Sequence, residues 1–200
     1  ANPAAGANYA SQAQCSRIKE GEVVNVDITA PAATLALGLM YLRTNNVAVA
    51  EQLAIPDTHF LLDYVRPDFI LLRVLAKQLV MWDSITPTEE WVQQQVPGMI
   101  THALEQSANK TQVEEDDDND HETLDMEAVR HAHWNIIAGV CLSLGLRFAG
   151  QADLAAQQLL LKQVKFFQNH TLGRGDTQLS NLDKPIMETC FNVAILSLSL

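Results

Sequence analysis

The chain has 200 residues, 48% of them hydrophobic, and a formal net charge of −11 at pH 7. This length suits one domain or a run of repeats, and the apolar content is ample for a packed core. The negative charge argues against nucleic acid as a partner, because phosphate binding depends on clustered Lys and Arg. The longest apolar run, residues 30–42, is too short to span a bilayer, which takes roughly 20 residues.

The first part of the chain predicts a lead-in followed by two helices. Residues 1–22 are mostly small and polar, which is typical of a flexible segment. Residues 23–29 predict a short extended stretch, and Pro31 then suits the first turn of a helix, where its missing N–H costs nothing. We expect this helix to cover residues 31–43 and a second helix to cover residues 47–54.

The middle of the chain predicts three more helices and an acidic insertion. Residues 57–64 favour a short helix, and residues 67–82 have apolar side chains at helical spacing. The sequence Thr-Pro-Thr-Glu at residues 86–89 is typical of a capping box with proline at the first helical position. A further helix follows a Pro-Gly pair and ends near Gln106. Residues 107–122 are polar and acidic and predict a disordered insertion, since like charges repel.

The last part predicts three helices. Residues 123–148 favour one long helix, and its segment 136–146 is apolar on nearly every side, which predicts burial all round. Residues 153–167 are amphipathic, residues 171–183 predict a loop, and Pro185 begins the final helix. Beyond the short stretch near the start, no alternating strand pattern occurs. We therefore predict an all-α chain built largely of helix pairs.

A five-residue apolar signature occurs three times, at residues 35–39 (LALGL), 142–146 (LSLGL) and 196–200 (LSLSL). Large aliphatic residues alternate with small ones, and each glycine costs a helix roughly 1 kcal/mol relative to alanine. Close approach of a neighbouring backbone would offset that cost most simply. Repetition of this kind is typical of stacked repeats that bury one another. The residues that we assign to the structural signature are Leu35, Ala36, Leu37, Gly38, Leu39, Ala138, Gly139, Leu142, Ser143, Leu144, Gly145, Leu146, Gly150, Leu196, Ser197, Leu198 and Ser199.

The uneven spacing of the three copies predicts insertions between the repeats. We place the first helical repeats at residues 23–106 and further repeats at residues 123–200, with the acidic insertion between them. The chain stops at Leu200 inside an apolar run, which would leave a hydrophobic face exposed. We therefore expect a piece of a longer protein, with its last repeat truncated.

The acidic insertion contains the strongest candidate for a metal site. Asp116, Asp118, Asp120 and Glu127 fall at positions 1, 3, 5 and 12 of a calcium-binding EF-hand loop. His121, however, stands at position 6, where the sharp turn of such a loop requires glycine. The pattern therefore favours a solvated acidic loop, and a calcium module is a weak alternative.

The sequence offers no set of residues that predicts catalysis. His131 and His133 lie two positions apart and so face different sides of a helix, which indicates partly buried or capping histidines rather than joint metal ligands. No glycine-rich phosphate loop or nucleophile elbow is present. Cys15, Cys141 and Cys190 are odd in number and far apart, and the last two lie in apolar runs, which indicates free thiols in a reducing compartment. We expect no catalytic residue, no metal and no cofactor.

Several strings around the signature resemble the proteasome/cyclosome (PC) repeats in the family of the largest anaphase-promoting complex subunits. The resemblance extends from about Val24 to Leu200 and leaves out the lead-in and the acidic insertion. In this alignment Gly150 stands opposite Arg43 of the first copy, and Ser199 replaces Gly145 in the third. The strings that carry the resemblance are residues 25–39, 61–69, 81–83, 137–150 and 188–193.

The resemblance implies a closed toroidal α-solenoid of PC-type helix pairs. It implies a non-catalytic scaffold in a multi-subunit ubiquitin ligase of the cell cycle, located in the nucleus and cytoplasm. The implied partners are the cullin-RING module, the tetratricopeptide subunits, the processivity subunit and the coactivator, with neither nucleic acid nor membrane. The family offers no catalytic or metal-binding residue to transfer. The alternative is a PC-repeat subunit of the proteasome regulatory particle that binds ubiquitin or shuttle receptors.

Overall fold

The computed structural model describes residues 26–55, 57–58, 66–110, 126–171 and 183–200, and these form helices and turns without a strand. The prediction of an all-α chain is confirmed for this part of the protein. None of the helices described is long and apolar enough to cross a membrane. The α-helices, in chain order, are α1 (Val26–Met40), α2 (Val47–Gln52), α3 (Pro67–Val80), α4 (Glu89–Gln94), α5 (Gly98–Lys110), α6 (Met126–Phe148), α7 (Leu154–Thr171) and α8 (Asp183–Ser199), with a 3₁₀ turn at Trp82–Ser84.

Four of these helices form a row in which each packs on the next. Helix α3 contacts both α1 and α6, and α6 in turn contacts α8. The remaining α-helices form a second layer, in which α2 packs on α3, α5 packs on α6, and α7 packs on α6 and α8. We call α1, α3, α6 and α8 the row. All three predicted copies of the signature lie on row helices, near their C-terminal ends.

Helix α1 begins earlier than the sequence predicts. Residues 26–29 are helical, so the predicted extended stretch is wrong over these four residues, and residues 23–25 lie outside the described part. Pro31 lies inside the helix rather than at its first position. Its missing N–H removes one early hydrogen bond of the helix. One turn later, the hydroxyl of Thr34 donates a hydrogen bond of 2.8 Å to the carbonyl of Ala30.

Three of the second-layer helices begin at side-chain caps. Asn46 accepts from the N–H of Val49 at the start of α2, and Asp153 accepts from Ala156 at the start of α7. At α4 the cap is Thr88, whose hydroxyl accepts from the third residue of the helix. The predicted capping box, which begins two residues earlier, is therefore wrong in position. Since Thr-Pro-Thr offers two threonines, the spacing to glutamate selected the wrong one.

The core follows the row. Helix α6 is buried on nearly every side through its middle, as its apolar composition predicts. Phe167 of α7 and Met187 of α8 are fully buried against it. A smaller cluster between α2 and α3 contains Ala50 and Val80. Each layer thus buries the apolar side of the other.

Two helices extend beyond their predicted ends, and several predicted features lie outside the described residues. Helix α5 continues to Lys110, past the end predicted near Gln106, because residues 107–110 contain neither glycine nor proline to stop it. The lead-in, most of the predicted helix at residues 57–64 and the EF-hand-like carboxylates before residue 126 lie outside the described residues. Helix α7 extends to Thr171, four residues beyond its predicted end.

Candidate functional site: the seam of small residues along the row

The helices of the row approach most closely at glycines. A Cβ placed on Gly38 of α1 would lie 2.9 Å from the Cα of Ala76 on α3. A Cβ on Gly145 of α6 would lie only 2.6 Å from the carbonyl oxygen of Ser197 on α8. No side chain fits at either position without moving backbone atoms of the neighbouring helix. We call these contacts, with the corresponding one between α3 and α6, the seam.

The contact of Gly38 identifies a fourth copy of the signature that the sequence analysis missed. Ser197, the residue that meets Gly145, is the second residue of its five-residue copy. If Ala76 has the same place, the copy on α3 is residues 75–79, which read LAKQL. It keeps leucine at its first and last positions and a small residue at its second. Helix α3 is therefore a degenerate repeat rather than a spacer.

The degenerate copy shifts the third close contact by one turn. Gln78 stands where the other copies have glycine or serine, and it is only 2% exposed. Its side-chain amide donates to the side-chain oxygen of Gln95 at 2.7 Å, which ties α3 to the segment after α4. The closest approach of α3 and α6 then lies at Gly139, where an added Cβ would be 2.9 Å from the carbonyl oxygen of Leu71. All three interfaces of the row thus contain a glycine.

Backbone hydrogen bonds fix the same register at the C-terminal ends of the row helices. The N–H of Arg43, in the turn after α1, donates to the carbonyl of Leu79 at 2.9 Å. The N–H of Gly150, in the turn after α6, donates to the carbonyl of Leu200 at 3.1 Å. Leu79 and Leu200 are both the last residue of their copies. These bonds therefore support the assignment of residues 75–79 as a repeat.

The two turns also share their backbone conformation. Arg43 and Gly150, which align with each other, both have left-handed φ angles, of 58° and 67°. Asn45 and Ala152, two residues later, follow the same pattern with φ of 52° and 51°. The backbone therefore has the same conformation in both turns, although arginine stands in one and glycine in the other. The cost for a residue with a Cβ is roughly 1–2 kcal/mol at such a position.

Side-chain contacts accompany the strained turn after α1. The guanidinium of Arg43 and the amide of Asn45 each donate to the carboxylate of Asp83 at 3.0 Å. The hydrogen bond from Asn45, together with the charge of Arg43, lowers the pKa of Asp83. Asp83, in the 3₁₀ turn after α3, stands at the position of the α3 repeat that corresponds to Arg43 and Gly150. The turn of one repeat is therefore bonded to the turn of the next.

The signature residues fall into three groups by burial. The small residues of α6 and α8 are mostly enclosed, and two buried hydroxyls donate within their own helices, from Ser143 to the carbonyl of Gly139 and from Ser197 to that of Val193. Buried are Gly38, Ala138, Gly139, Ser143, Leu144, Gly145 and Ser197; half-buried are Leu35, Leu37, Leu142 and Leu198; exposed are Ala36, Leu39, Leu146, Gly150, Leu196 and Ser199.

The exposed members lie mainly at the two edges of the row. On α1, Ala36 is exposed although its counterparts Ala76 and Ser197 are buried under a glycine. Beside it, Leu39 is 60% and Met40 78% exposed. The other edge exposes apolar side chains at the end of α8. Each edge of the row therefore presents an uncovered apolar helix face.

A buried charged cluster ties the start of α8 to α6, and the sequence analysis did not identify it as a unit. Asp183 is only 1% exposed, and its carboxylate lies 2.8 Å from Nε2 of His131 and 3.7 Å from the guanidinium of Arg130. Glu127, His131 and Asp183 each place a possible metal-ligand atom within 4.8 Å of the others. Because Arg130 already supplies positive charge to this carboxylate, we interpret the cluster as a structural ion-pair network.

Two buried cysteines lie in the same pair of helices. Burial raises the pKa of the Cys141 thiol and of the Cys190 thiol to about 12. A thiol at such a pKa is not a nucleophile at neutral pH, since the thiolate is the reactive form. Both residues act as small apolar groups in the packing of α6 against α8.

Comparison of the sequence with known proteins identifies a family. A family model for the APC1 fifth domain matches residues 4–200. Anaphase-promoting complex subunit 1 of Mus musculus is 44% identical over 184 residues, covering 92% of this chain and 9% of the mouse protein. The Arabidopsis thaliana protein of the same name is 41% identical over 194 residues, covering 92% of this chain and 11% of the plant protein.

A third relative has a different name. The negative regulator of mitosis of Emericella nidulans is 33% identical over 174 residues, covering 87% of this chain and 8% of the fungal protein. The chain thus spans about a tenth of the length of the curated relatives that it matches. The alternative of a proteasome subunit receives no support from these matches. The chain belongs to the APC1 family, in which it matches the fifth domain.

Proposed function

We propose that this chain is a non-catalytic scaffold module of the anaphase-promoting complex, a multi-subunit ubiquitin ligase of the cell cycle. The observation that carries the proposal is the seam, in which glycines of the row helices meet the backbone of the adjacent helix rather than a solvent-filled site. Residues used in this way determine the shape of a surface. They perform no chemical step.

The row supports a further part of this proposal, that the module belongs to a closed ring of PC repeats. Ala36 on α1 is exposed at the position where Ala76 and Ser197 each receive a glycine. Its apolar surroundings suit a preceding signature helix of a longer chain, and the relatives are about ten times longer than this chain. In the ring proposal, such helices cover both edges of the row.

The proposed partners are the other subunits of the complex. These are the cullin-RING module, the tetratricopeptide subunits and the processivity subunit, together with the coactivator. The names of the relatives refer to the complex as a whole, so the individual partners follow from the family resemblance. We propose a location in the nucleus and cytoplasm on the same ground.

The test is reconstitution of the complex with a complete subunit that contains this region. Replacing Gly145 by leucine should break the contact with Ser197, and the purified complex should lose subunits or its response to coactivator. Gly98→Leu is the matched control, because an added Cβ there meets nothing within 4 Å. Normal subunit stoichiometry and normal ubiquitin transfer by a complex that lacks this region altogether would refute the scaffold role.

A further inference from the structure

A groove of about 710 Å³ opens in the second layer, between α4 and α5 on one side and α7 on the other. Ile137 of α6 forms its floor, Val92 and Val96 line one wall, and Phe166 of α7 lines the opposite wall. The volume lies within the range of sites that hold drug-sized ligands or peptide side chains, about 300–1,000 Å³. The groove is separate from the seam, which lies between row helices.

Part of the groove lining is aromatic, at His133 and Phe166. The ring of Phe166 lies edge-on to His133, with centroids 6.2 Å apart, and edge-on to His170 at 4.6 Å. Burial, and secondarily the charge of His170, lower the pKa of His133 to about 4, so its imidazole is neutral at physiological pH. A neutral imidazole beside a phenyl ring gives an aromatic guest edge-to-face partners without a charge to desolvate.

The rim of the groove has unbalanced negative charge. Lys162 of α7 reaches across the opening to Glu89 of α4, with 2.6 Å between its ammonium nitrogen and the carboxylate. This pair neutralises the only cation that lines the groove within the described residues. Glu105 of α5 is exposed on the same rim, and no described cation lies within ion-pair distance of it.

We propose that this groove binds a short linear peptide segment of a partner protein. An aromatic side chain of the peptide enters between Ile137 and Phe166, and an adjacent lysine or arginine pairs with Glu105. The groove adds a docking site to the scaffold role proposed above. Its test uses the 200-residue chain alone, so failure of the docking proposal leaves the assembly experiment unaffected.

The probes are three acetylated and amidated hexapeptides titrated into the chain by calorimetry. The first is Phe-Lys-Ala-Phe-Lys-Ala, the second has Glu in place of both Lys, and the third has Ala in place of both Phe. We expect the first to bind at least about tenfold more tightly than either control, which corresponds to roughly 1.4 kcal/mol. Amide chemical shifts in ¹⁵N spectra should change around Ile137 and Phe166.

Charge reversal separates this site from general attraction to an acidic protein. Glu105→Lys should weaken the binding of the Phe-Lys peptide about tenfold and strengthen the binding of the Phe-Glu peptide. Glu188→Lys, on the exposed side of α8, changes the net charge equally and should leave both affinities unchanged. The proposal is overturned if the Phe-Lys peptide fails to bind at millimolar concentration, if the peptide without Phe binds equally, or if the two variants behave alike.

Discussion

The seam makes a quantitative prediction about Gly145→Ala. In an exposed helix this change would stabilise the protein by about 1 kcal/mol, since alanine is the better helix former. Here the new Cβ would lie 2.6 Å from the carbonyl oxygen of Ser197 and 2.9 Å from its Cα. Ordinary contacts begin at 3.4 Å, so α6 and α8 would have to separate by roughly 0.8 Å.

The expected net effect is destabilisation. Overpacking of a well-packed site costs about 1–3 kcal/mol, and the upper end applies because backbone atoms cannot rotate away as a side chain can. After the gain in helix propensity, a loss of about 2 kcal/mol remains. For a chain of this size that loss lowers the melting temperature by roughly 4–8 °C. The separation should also loosen the bond from Gly150 to Leu200 and speed hydrogen exchange at the Gly150 amide.

The assay compares thermal and urea unfolding of the parent chain, Gly145→Ala and Gly98→Ala by circular dichroism. Gly98→Ala adds a methyl group in open space at the start of α5 and should be neutral or stabilising by less than about 1 kcal/mol. The reasoning fails if Gly145→Ala melts at or above the parent chain. It also fails if the two variants shift the midpoint by the same amount.

Four further predictions follow from particular environments. Gly150→Ala should lower the free energy of unfolding in urea by about 1 kcal/mol, because the φ angle of Gly150 is +67°. No atom obstructs the added Cβ, so the effect is one of backbone strain, and an unchanged midpoint would contradict it. Asp183→Ala should lower the free energy of unfolding by about 3 kcal/mol or more, because it leaves the buried partners of Asp183 unpaired. Equal stability of variant and parent would show that the ion-pair network does not stabilise the fold. Because the folded pKa of His133 is about 4 and its unfolded value about 6.5, stability is retained above pH 6.5 and falls as the pH decreases toward 4. The loss between pH 7 and pH 5 should be about 2 kcal/mol, and His133→Phe should remove that part of the pH dependence. Iodoacetamide at pH 8 should leave Cys141 and Cys190 unmodified in the folded chain and alkylate both in guanidinium, as peptide mass spectrometry would detect.

Much of the fold could be predicted from helix signals that act locally. Pro67 does begin α3, and Asp153 immediately precedes α7, because caps and prolines determine helix starts within one turn. The start of α1 could not be found in this way. Pro31 normally suits a first turn, whereas inside a helix it removes a hydrogen bond and its ring crowds the carbonyl one turn earlier. The packing of α1 on α3 is a tertiary contribution that can offset this local cost and that no local signal reveals.

The seam could be predicted only in part. Repetition indicated close helix contacts, but the partner of each glycine depends on the register between helices that lie far apart in the chain. The copy on α3 was missed because Lys77 and Gln78 interrupt its alternation. Its detectable signal was leucine at the first and last positions with Ala76 second. The charged cluster was missed for a related reason, since Asp183 meets His131 only after α8 packs on α6.

The position of Gln78 explains why the row tolerates one irregular copy. In the interfaces of α1 with α3 and of α6 with α8, the fourth residue of one copy meets the second residue of the next. A glutamine at the fourth position would prevent that contact with α6, so Gly139, one turn earlier, takes over the close approach. The glutamine amide instead bonds to Gln95, in the segment where the second layer is divided between α4 and α5. Gln95 immediately precedes Val96, which lines the groove, so the bond from Gln78 ends beside the groove wall. It follows that Gln78→Gly, which removes the bond to Gln95, should weaken the binding of aromatic peptides to the groove and also lower the free energy of unfolding by at least about 1 kcal/mol, since glycine costs helix propensity inside α3. Unchanged peptide affinity in titration calorimetry would show that Gln78 does not support the groove wall.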